Sequence, residues 1–535
     1  MARRLVPAAL LVAAVAFPVP AFAQTPAHAA AAQAVDLLQG AAWHYSTDGG
    51  KSYSSQPPLV PSGKTMQVTV KAEFSVARMP NCSLLELRSA QKRPWDASFA
   101  MNGQEIAPPL KGMIYRTLPA VDARLLKQGA NVVTALVKAD NSGRTGQPPP
   151  PDEQFEFSAT LIPVDVRNLR IQSGPILGAF GQDYFTVTCR TNMPARVSVC
   201  VVQVSSGSNQ QANVSELAAS ETGLIHRLRI DNPPTTVRAH TGFVVFAQVG
   251  DFHVSERIDP PVWPADGKLR FAALGDNRTN AKAWGTVAGA VLKAQPQLLL
   301  HTGDLVVSGR ADWLWDEDLL APAKELFARV PVYPVIGNHE GNAPLYDEIF
   351  YMSSRDGRGR NWAQTVADVL FIGIDGKQDW AAGSPNVQWL EKVLQDAKHA
   401  KFIFLVNHYP SWSSAKHGET KSGKPVEMPV RQAQEVIMPL LEKHKATAFV
   451  AGHDHCYERS EPPGGVSVIV SGGGGAGVYL KTATAAQQNP YSKVFAAKHH
   501  YCVFDVNGAT CTMKALTPEG ETLDTRTWQA RQVGK

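Results

Sequence analysis

Five short apolar segments in the C-terminal half of this chain each run directly into a cluster of polar side chains, and this pattern constrains the fold more than any other. The clusters are Gly275-Asp276-Asn277-Arg278, Gly303-Asp304, Gly337-Asn338-His339-Glu340, Asn407-His408 and Gly452-His453-Asp454-His455. In open α/β sheets, ligands bind beyond the carboxyl ends of the strands. With each apolar segment as a strand, the pattern predicts that all five clusters meet at one polar site.

The sequence between these apolar segments shows the periodicity of helices. Apolar residues recur at i, i+3, i+4, i+7 and i+8 after the first segment, which predicts a helix there; they are Trp284, Val287, Ala288, Val291 and Leu292. Further helices are predicted within 311–328, at 386–399 and at 431–444, between strands at 298–301, 332–336, 369–374, 402–406 and 448–450. Alternating helices and nearly continuous apolar strands indicate an α/β layered domain, which we assign to residues 269–535.

The polar clusters contain a set of side chains suited to metal binding. The set is two aspartates, one asparagine and three histidines: Asp276, Asp304, Asn338, His408, His453 and His455. Nitrogen and oxygen donors of this kind suit Zn, Mn or Fe. Six donors are too many for one tetrahedral zinc ion but fit two metal ions that share a carboxylate. Two metals about 3.5–4 Å apart can hold both the attacking and the leaving oxygen of a phosphoryl displacement.

The ordered set GD, GD, GNHE, NH and GHDH resembles the calcineurin-like metallophosphoesterase superfamily. The segments GNHE at 337–340 and GHDHCYER at 452–459 are similar to its purple-acid-phosphatase-like branch. The resemblance implies that Asp276 and His455 hold a first metal, that Asp304 bridges both metals, and that Asn338, His408 and His453 complete the second site. It also implies hydrolysis of phosphate monoesters by a hydroxide that bridges the two metals.

Two further histidines are expected to take part in the reaction. His339 follows a predicted ligand directly, and we expect it to donate to the phosphoryl or leaving-group oxygen. The segment from Asn407 to Gly418 resembles the loop that supplies a substrate-side histidine in related phosphatases. His417 is therefore predicted to be the leaving-group acid. Asp454 and Glu458 are expected to orient histidines or to cap the turn, and Asp375 is expected to be structural.

Two positions depart from the family pattern. The common first motif is Asp-x-His, but the third position here is Arg278, and Val307 stands where purple acid phosphatases have a metal-binding tyrosine. We therefore expect a weaker first site, completed by water, with no tyrosinate-to-iron colour. Arg278 has two interpretations: its guanidinium binds a substrate phosphate oxygen, which is the favoured prediction, or it forms an ion pair with a nearby carboxylate.

The region before the α/β domain is predicted to be all β. Alternating short strands and turn residues predict a jelly-roll-like β-sandwich at 35–164. The second β-rich unit, at 165–259, resembles the fibronectin-III-like domain that precedes the catalytic domain in purple acid phosphatases. Three prolines between Pro260 and Pro264 predict a stiff linker at 260–268.

The first residues are typical of an export signal. Arg3 and Arg4 precede an apolar run, and Ala21-Phe22-Ala23 gives a small-x-small cleavage pattern, so residues 1–23 are predicted to be a signal peptide. Residues 24–34 are predicted to be a flexible segment. No later segment reaches about 18 apolar residues, so we expect an exported, periplasmic or secreted protein without a membrane span.

Export permits disulfides, and the cysteine spacing suggests where they could form. Cys189 and Cys200 lie on neighbouring strand-like runs and are the best candidate pair. Cys502 and Cys511 flank an Asn507-Gly508 turn, which would place them diagonally rather than opposite each other.

Composition and the departures together leave three functional alternatives. With 52 Lys and Arg against 47 Asp and Glu, the net charge of +5 does not indicate a nucleic-acid partner, and a phosphorylated small molecule is the expected substrate. A phosphodiesterase or nucleotide pyrophosphate hydrolase could use the same site. A cell-surface glycan-binding protein with a metal site decayed at Arg278 and Val307 is the alternative of another class. The six other donors and His339 argue against decay.

Overall fold

The computed structural model of the chain describes residues 36–80, 84–106, 110–141, 151–204, 212–234, 241–264, 267–350 and 360–532. The predicted signal peptide at 1–23 and flexible segment at 24–34 lie outside these residues. In the part of the chain that the structure describes, no helix is both long and apolar enough to cross a membrane.

The first β-region is built around one long strand. Its strands are β1 Trp43–Ser46, β2 Leu59–Val60, β3 Thr65–Val76, β4 Leu84–Met101, β5 Gln104–Glu105, β6 Leu110–Asp122, β7 Gly129–Asp140, β8 Glu153–Gln154 and β9 Phe157–Val164. The order β1-β3-β7-β4-β5 forms the main path, and β6 and β9 also pair with β4. Alternate residues of β3 and β7 are buried in one apolar core, because successive side chains of a strand face opposite sides. The region is all β, while its jelly-roll description and its bounds stay predictions.

The second β-region is also organised by a single strand. Its strands are β10 Ile171–Phe180, β11 Tyr184–Val204, β12 Ala212–Ala219, β13 Gly223–Asp231, β14 Thr241–Val249 and β15 Phe252–Ile258. The first part of β11 pairs with β10 and β13, and its second part pairs with β12 and β14. The fibronectin-like description and the bounds of this unit stay predictions.

The predicted pairing of Cys189 with Cys200 is wrong. Both residues lie on β11, where an extended backbone rises about 3.3 Å per residue, far beyond the reach of a disulfide. Cys189 faces His226 and Cys200 faces Val244 across the sheet, and both thiols are free and buried.

The described residues of the α/β region that follows form fifteen strands and a set of short and long helices. The strands are β16 Lys268–Leu274, β17 Leu298–His301, β18 Val332–Pro334, β19 Trp362–Val366, β20 Val369–Gly373, β21 Phe402–Val406, β22 Thr420–Lys421, β23 Lys424–Pro425, β24 Ala448–Ala451, β25 Tyr457–Ser460, β26 Ser467–Ser471, β27 Ser492–Ala496, β28 Tyr501–Asn507, β29 Thr510–Leu516 and β30 Thr522–Gln529. The helices are α1 Ala281–Lys293, α2 Asp312–Leu314, α3 Lys324–Phe327, α4 Pro344–Ile349, α5 Pro385–Asp396, α6 Met428–Gln432, α7 Met438–Lys443 and α8 Ala485–Gln488, with π-helical turns at Trp315–Leu320 and Ala433–Ile437.

The strands of this region form two sheets that pack face to face. Their orders are β18-β17-β16-β28-β29-β30 and β19-β20-β21-β24-β26-β25-β27. Phe271 of the first sheet lies 4.9 Å from Phe371 and 5.1 Å from Phe404 of the second, measured between ring centroids. α1 covers the outer face of the first sheet with the fully buried Trp284, and α5 and α7 cover the second. The predicted alternation is present, but the division into two sheets was not predicted.

β28 and β29 form the hairpin expected at Asn507-Gly508. Cys502 faces Ala515 and Cys511 faces Val506. As predicted, the two cysteines do not lie opposite each other.

The second β-region packs directly on the α/β region. The hydroxyl of Tyr333 accepts a hydrogen bond of 2.8 Å from the backbone N–H of Phe180, and Trp263 of the proline-rich segment packs on the Phe180 ring. A buried ion pair of 3.0 Å joins Arg190 to Asp312. Buried apolar residues of both regions form one continuous core.

Candidate metal centre

The two sheets bring the carboxyl ends of β16, β17, β21 and β24 to one edge, and the backbone turns sharply there. Asp276, Asp304 and His453 have φ angles of 59°, 53° and 71°, a left-handed conformation that is uncommon for residues other than glycine. Gly303 has φ 92°, and a Cβ there would lie 2.8 Å from the backbone nitrogen of Gly337. Backbone strain of this kind clusters at functional sites.

The predicted donors of the second site lie together. Nδ1 of His408 contacts the carbonyl oxygen of Thr302 at 2.8 Å, and because a carbonyl only accepts, Nδ1 carries the proton. Nε2 of the neutral ring is then an acceptor, and it lies 3.0 Å from Oδ1 of Asn338 and 3.4 Å from Oδ1 of Asp304. Three acceptor atoms that converge on one point fit a bound cation. His453 forms a group with Asp304 and His408 whose ligand atoms lie within 4.8 Å of one another.

The predicted donors of the first site also lie together. Ligand atoms of Asp276, Asp304 and His455 lie within 4.8 Å of one another. Nδ1 of His455 donates to the carbonyl oxygen of Gly477 at 2.7 Å, which leaves Nε2 as an acceptor 3.7 Å from Oδ1 of Asp276. That Oδ1 atom is buried and has no hydrogen-bond partner, whereas Oδ2 accepts from the backbone N–H of His453. A buried carboxylate oxygen without a hydrogen-bond partner fits a metal ligand, because leaving such an oxygen unsatisfied is costly.

Arg278 lies inside the first site. Its Nε donates to Oδ2 of Asp304 at 3.0 Å, and its Nη2 lies 3.2 Å from Nε2 of His455. The structure thus contains the ion pair with a carboxylate that was the second interpretation of this residue, and its role in phosphate binding stays a prediction. Val307 contributes its carbonyl oxygen to the site, as an acceptor for Nδ1 of His339.

Burial sets the protonation of the predicted ligands. It lowers the pKa of His408, of His453 to about 3 and of His455 to about 4, so these imidazoles are neutral at physiological pH. Burial followed by the charge of Asp304 raises the pKa of Asp276 well above its usual value. Burial also opposes ionisation of Asp304, but electrostatic interactions with His408 and His339, the backbone hydrogen bond from His339 and the charge of Arg278 outweigh it and hold its pKa below the usual range. Neutral imidazoles and an ionised carboxylate are the forms that bind metals.

His339 faces this centre, as expected for a group that donates to substrate. Its backbone N–H donates to Oδ1 of Asp304 at 3.1 Å, and the contact of Nδ1 with Val307 fixes the ring. Nε2 lies 3.9 Å from Oδ2 of Asp304.

His417 lies beside the second site. Its ring centroid is 3.7 Å from that of His453, and its backbone N–H donates to the carboxylate of Asp454. Asp454 therefore holds the loop that carries His417, and Glu458 holds the same loop through the N–H and hydroxyl of Ser414.

Glu427 is the most important residue of the site that the sequence did not predict. Its carboxylate contacts Nδ1 of His417 at 2.6 Å and Nε2 of His453 at 3.0 Å. Carboxylates that bind the outer nitrogen of a ligand histidine fix its tautomer and orientation. Burial opposes ionisation of Glu427, but the two histidine hydrogen bonds outweigh it and hold its pKa below the usual range. No motif surrounds Glu427, so the sequence carried no signal for it.

Tyr479 and Glu340 also had no predicted role. The ring of Tyr479 stacks on His455 with 4.1 Å between centroids. Glu340 is fully buried and accepts four backbone N–H hydrogen bonds, from Asp304, Leu305, Val306 and Gly337. Burial and the nearby charge of Asp304 raise the pKa of Glu340 to about 8. The sequence signal that could have identified Glu340 was its position at the end of the GNHE segment.

Comparison with known proteins identifies a matching family and several relatives. A family model described as Calcineurin-like phosphoesterase matches residues 244–457. The chain is 37% identical over 267 residues to tartrate-resistant acid phosphatase type 5 of Oryctolagus cuniculus, an alignment that covers 41% of this chain and 76% of the relative. It is 24% identical over 255 residues to purple acid phosphatase 4 of Arabidopsis thaliana, covering 39% of this chain and 69% of the relative.

A solved structure shares the fold over most of the chain. The purple acid phosphatase PPD1 from seeds of yellow lupin (Lupinus luteus) superposes with a TM-score of 0.58 and 14% identity, and the match covers 88% of this chain and 95% of that one.

Proposed function

The chain belongs to the purple-acid-phosphatase branch of the calcineurin-like phosphoesterases and is a hydrolase of phosphoric esters, and from this premise we propose that it is an exported, metal-dependent phosphatase acting on phosphate monoesters of small molecules. The observation that carries the proposal is the convergence of Asp304, His408 and His453 within 4.8 Å, next to His339. Export rests on the signal-peptide pattern of residues 1–23, and the β-regions have no assigned role.

Asp304, Asn338, His408 and His453 would hold a metal ion at the second site. Asp276 and His455, with the other oxygen of Asp304, would hold the first metal of the binuclear centre that the sequence predicts. Metal ions bound by such residues acidify water to a nucleophile at neutral pH and neutralise charge on the phosphoryl group. Zn, Mn and Fe all suit these donors.

The chain's own residues supply the remaining functions. Nε2 of His339 faces the centre and, in the doubly protonated ring, would donate to a phosphoryl oxygen, stabilising the charge that grows on it. Glu427 binds Nδ1 of His417 and keeps this ring beside the second site. Nε2 of His417 can then protonate the leaving oxygen. Glu427 also holds His453, so one carboxylate orients a proposed acid and a proposed ligand together.

The role of His417 predicts a leaving-group dependence. In His417→Asn, kcat for an alkyl phosphate should fall on the order of 10²-fold or more, because the alkoxide needs a proton to depart. The fall should be much smaller for a nitrophenyl phosphate, whose leaving group departs as a stable anion. Steady-state kinetics on both esters measures this, with the exposed His399→Asn as the matched control. Equal losses on the two esters would contradict the assignment.

Substrate profiling tests the function itself. The mature protein, stripped of metal by a chelator and reloaded separately with Zn, Mn or Fe, should recover hydrolysis of aryl phosphate monoesters and turn over diesters and pyrophosphates more slowly. Faster turnover of diesters or pyrophosphates would favour the alternative substrate class on the same site. A metal-loaded protein inactive on all three classes would contradict the proposal and favour the glycan-binding alternative.

A further inference from the structure

The two oxygens of the Asp304 carboxylate face different partners. Oδ1 faces the donors of the second site, with Nε2 of His408 at 3.4 Å, whereas Oδ2 accepts a hydrogen bond from Nε of Arg278 at 3.0 Å. Oδ1 accepts one hydrogen bond, from the backbone N–H of His339, and keeps a second lone pair for a cation at the second site. The oxygen that would serve the first site is already bound to a cationic side chain.

The second donor of the first site is engaged by the same guanidinium. Because Nδ1 of His455 donates to Gly477, only Nε2 can bind a metal, and Nη2 of Arg278 lies 3.2 Å from that atom. A lone pair that accepts a hydrogen bond cannot bind a metal ion at the same time. Asp276 alone keeps a free oxygen in the first site.

Arg278 is held firmly in this position. Its side chain is only 14% exposed and that of Asp304 is fully buried, so the ion pair is shielded from solvent. The ring of Tyr479 stacks on His455, the second partner of the guanidinium. A divalent ion in the first site would lie a few ångströms from the guanidinium charge, and the repulsion would require Arg278 to leave.

We propose that Arg278 takes the place of the first metal ion, so that the protein binds one divalent cation tightly, at the second site, and a second one on the order of 10- to 100-fold more weakly. Displacing Arg278 breaks its hydrogen bond to the charged carboxylate of Asp304, and a hydrogen bond to a charged group is worth a factor of this size. The guanidinium then supplies positive charge where the family places a metal. The inference rests on the proposed metal centre and concerns its stoichiometry.

Titration with Mn²⁺ alone tests this inference without an activity assay. The chelator-stripped full-length protein should bind one equivalent tightly by calorimetry and retain one equivalent after dialysis, by elemental analysis. Arg278→His, which adds an imidazole donor, and Arg278→Ala, which only removes the competing cation, should each retain two. Electron paramagnetic resonance should show a spin-coupled manganese pair in the variants and an isolated ion in the wild-type protein.

Arg270→His is the matched control and should behave as wild type. Arg270 also pairs with a carboxylate, Asp505, but it lies near the start of β16, whereas Arg278 follows the end of that strand. Two equivalents of similar affinity in the wild-type protein would overturn the inference and leave the proposed function intact. One equivalent in both Arg278 variants, with only a higher KM for substrate, would overturn it in favour of phosphate binding. No Mn²⁺ binding by the wild-type protein would overturn both proposals.

Discussion

Replacing Asp304 by asparagine is expected to leave the protein without bound metal. It should also lower kcat/KM for an aryl phosphate on the order of 10³-fold or more, because metal ions supply several kcal/mol of charge stabilisation in the transition state. Asparagine keeps the shape of the side chain and can still accept the hydrogen bond from the N–H of His339. It removes the one ionised carboxylate that faces the proposed second site on one side and Arg278 on the other. Elemental analysis and steady-state kinetics measure the two effects.

Asp375→Asn is the control for this substitution. Asp375 is a buried aspartate just past the end of β20, but its carboxylate accepts from the backbone N–H of Lys377, and it belongs to none of the metal-binding groups among the described residues. We expect Asp375→Asn to retain its metal. A metal content in Asp304→Asn equal to that of the wild-type protein would contradict the central role of this carboxylate.

The strand-end positions of the site could be predicted because they depend on a general property of α/β folds. A polar cluster after each buried strand places Asp276, Asp304 and His408 at the carboxyl ends of strands, and such ends gather at one edge. These strands divide between two sheets. Both sheets present their carboxyl ends at the same edge, so the prediction of a common site was insensitive to that division.

Contacts made across the site could not be predicted in the same way. Glu427 reaches His417 and His453 from the loop before α6, and the course of a loop depends on packing that leaves no periodic pattern in the sequence. The pairing of Arg278 was one of two open interpretations, because a guanidinium binds carboxylate and phosphate with the same geometry.

The error about Cys189 and Cys200 has a local cause. The segment between them contains Asn192 and Pro194, which usually interrupt strands, so two strands were expected. The structure instead passes β11 through this point with a register irregularity between Arg190 and Ala195. β11 therefore pairs with β10 and β13 before this irregularity and with β12 and β14 after it.

Glu340→Ala is expected to lower the free energy of unfolding by about 3 kcal/mol or more, because each buried N–H group left without an acceptor costs about 1–3 kcal/mol. Oε1 accepts from Leu305 and Val306, and Oε2 accepts from Asp304 and Gly337, so one side chain joins the turns after β17 and β18. Chemical denaturation of the metal-free protein, followed by tryptophan fluorescence, should show a lower midpoint.

The effect of Glu340 on stability should be accompanied by a loss of metal affinity, since the turns that it joins carry Asp304 and Asn338. Glu340→Gln keeps the size of the side chain and one acceptor oxygen but turns an N–H donor toward the amides, so it should fall between wild type and Glu340→Ala in both measurements. The exposed Glu435→Ala should match the wild-type protein. If Glu340→Ala has the same denaturation midpoint as the wild type, water or a shifted backbone must satisfy the four amides. The turns would then hold the metal ligands in place without this carboxylate.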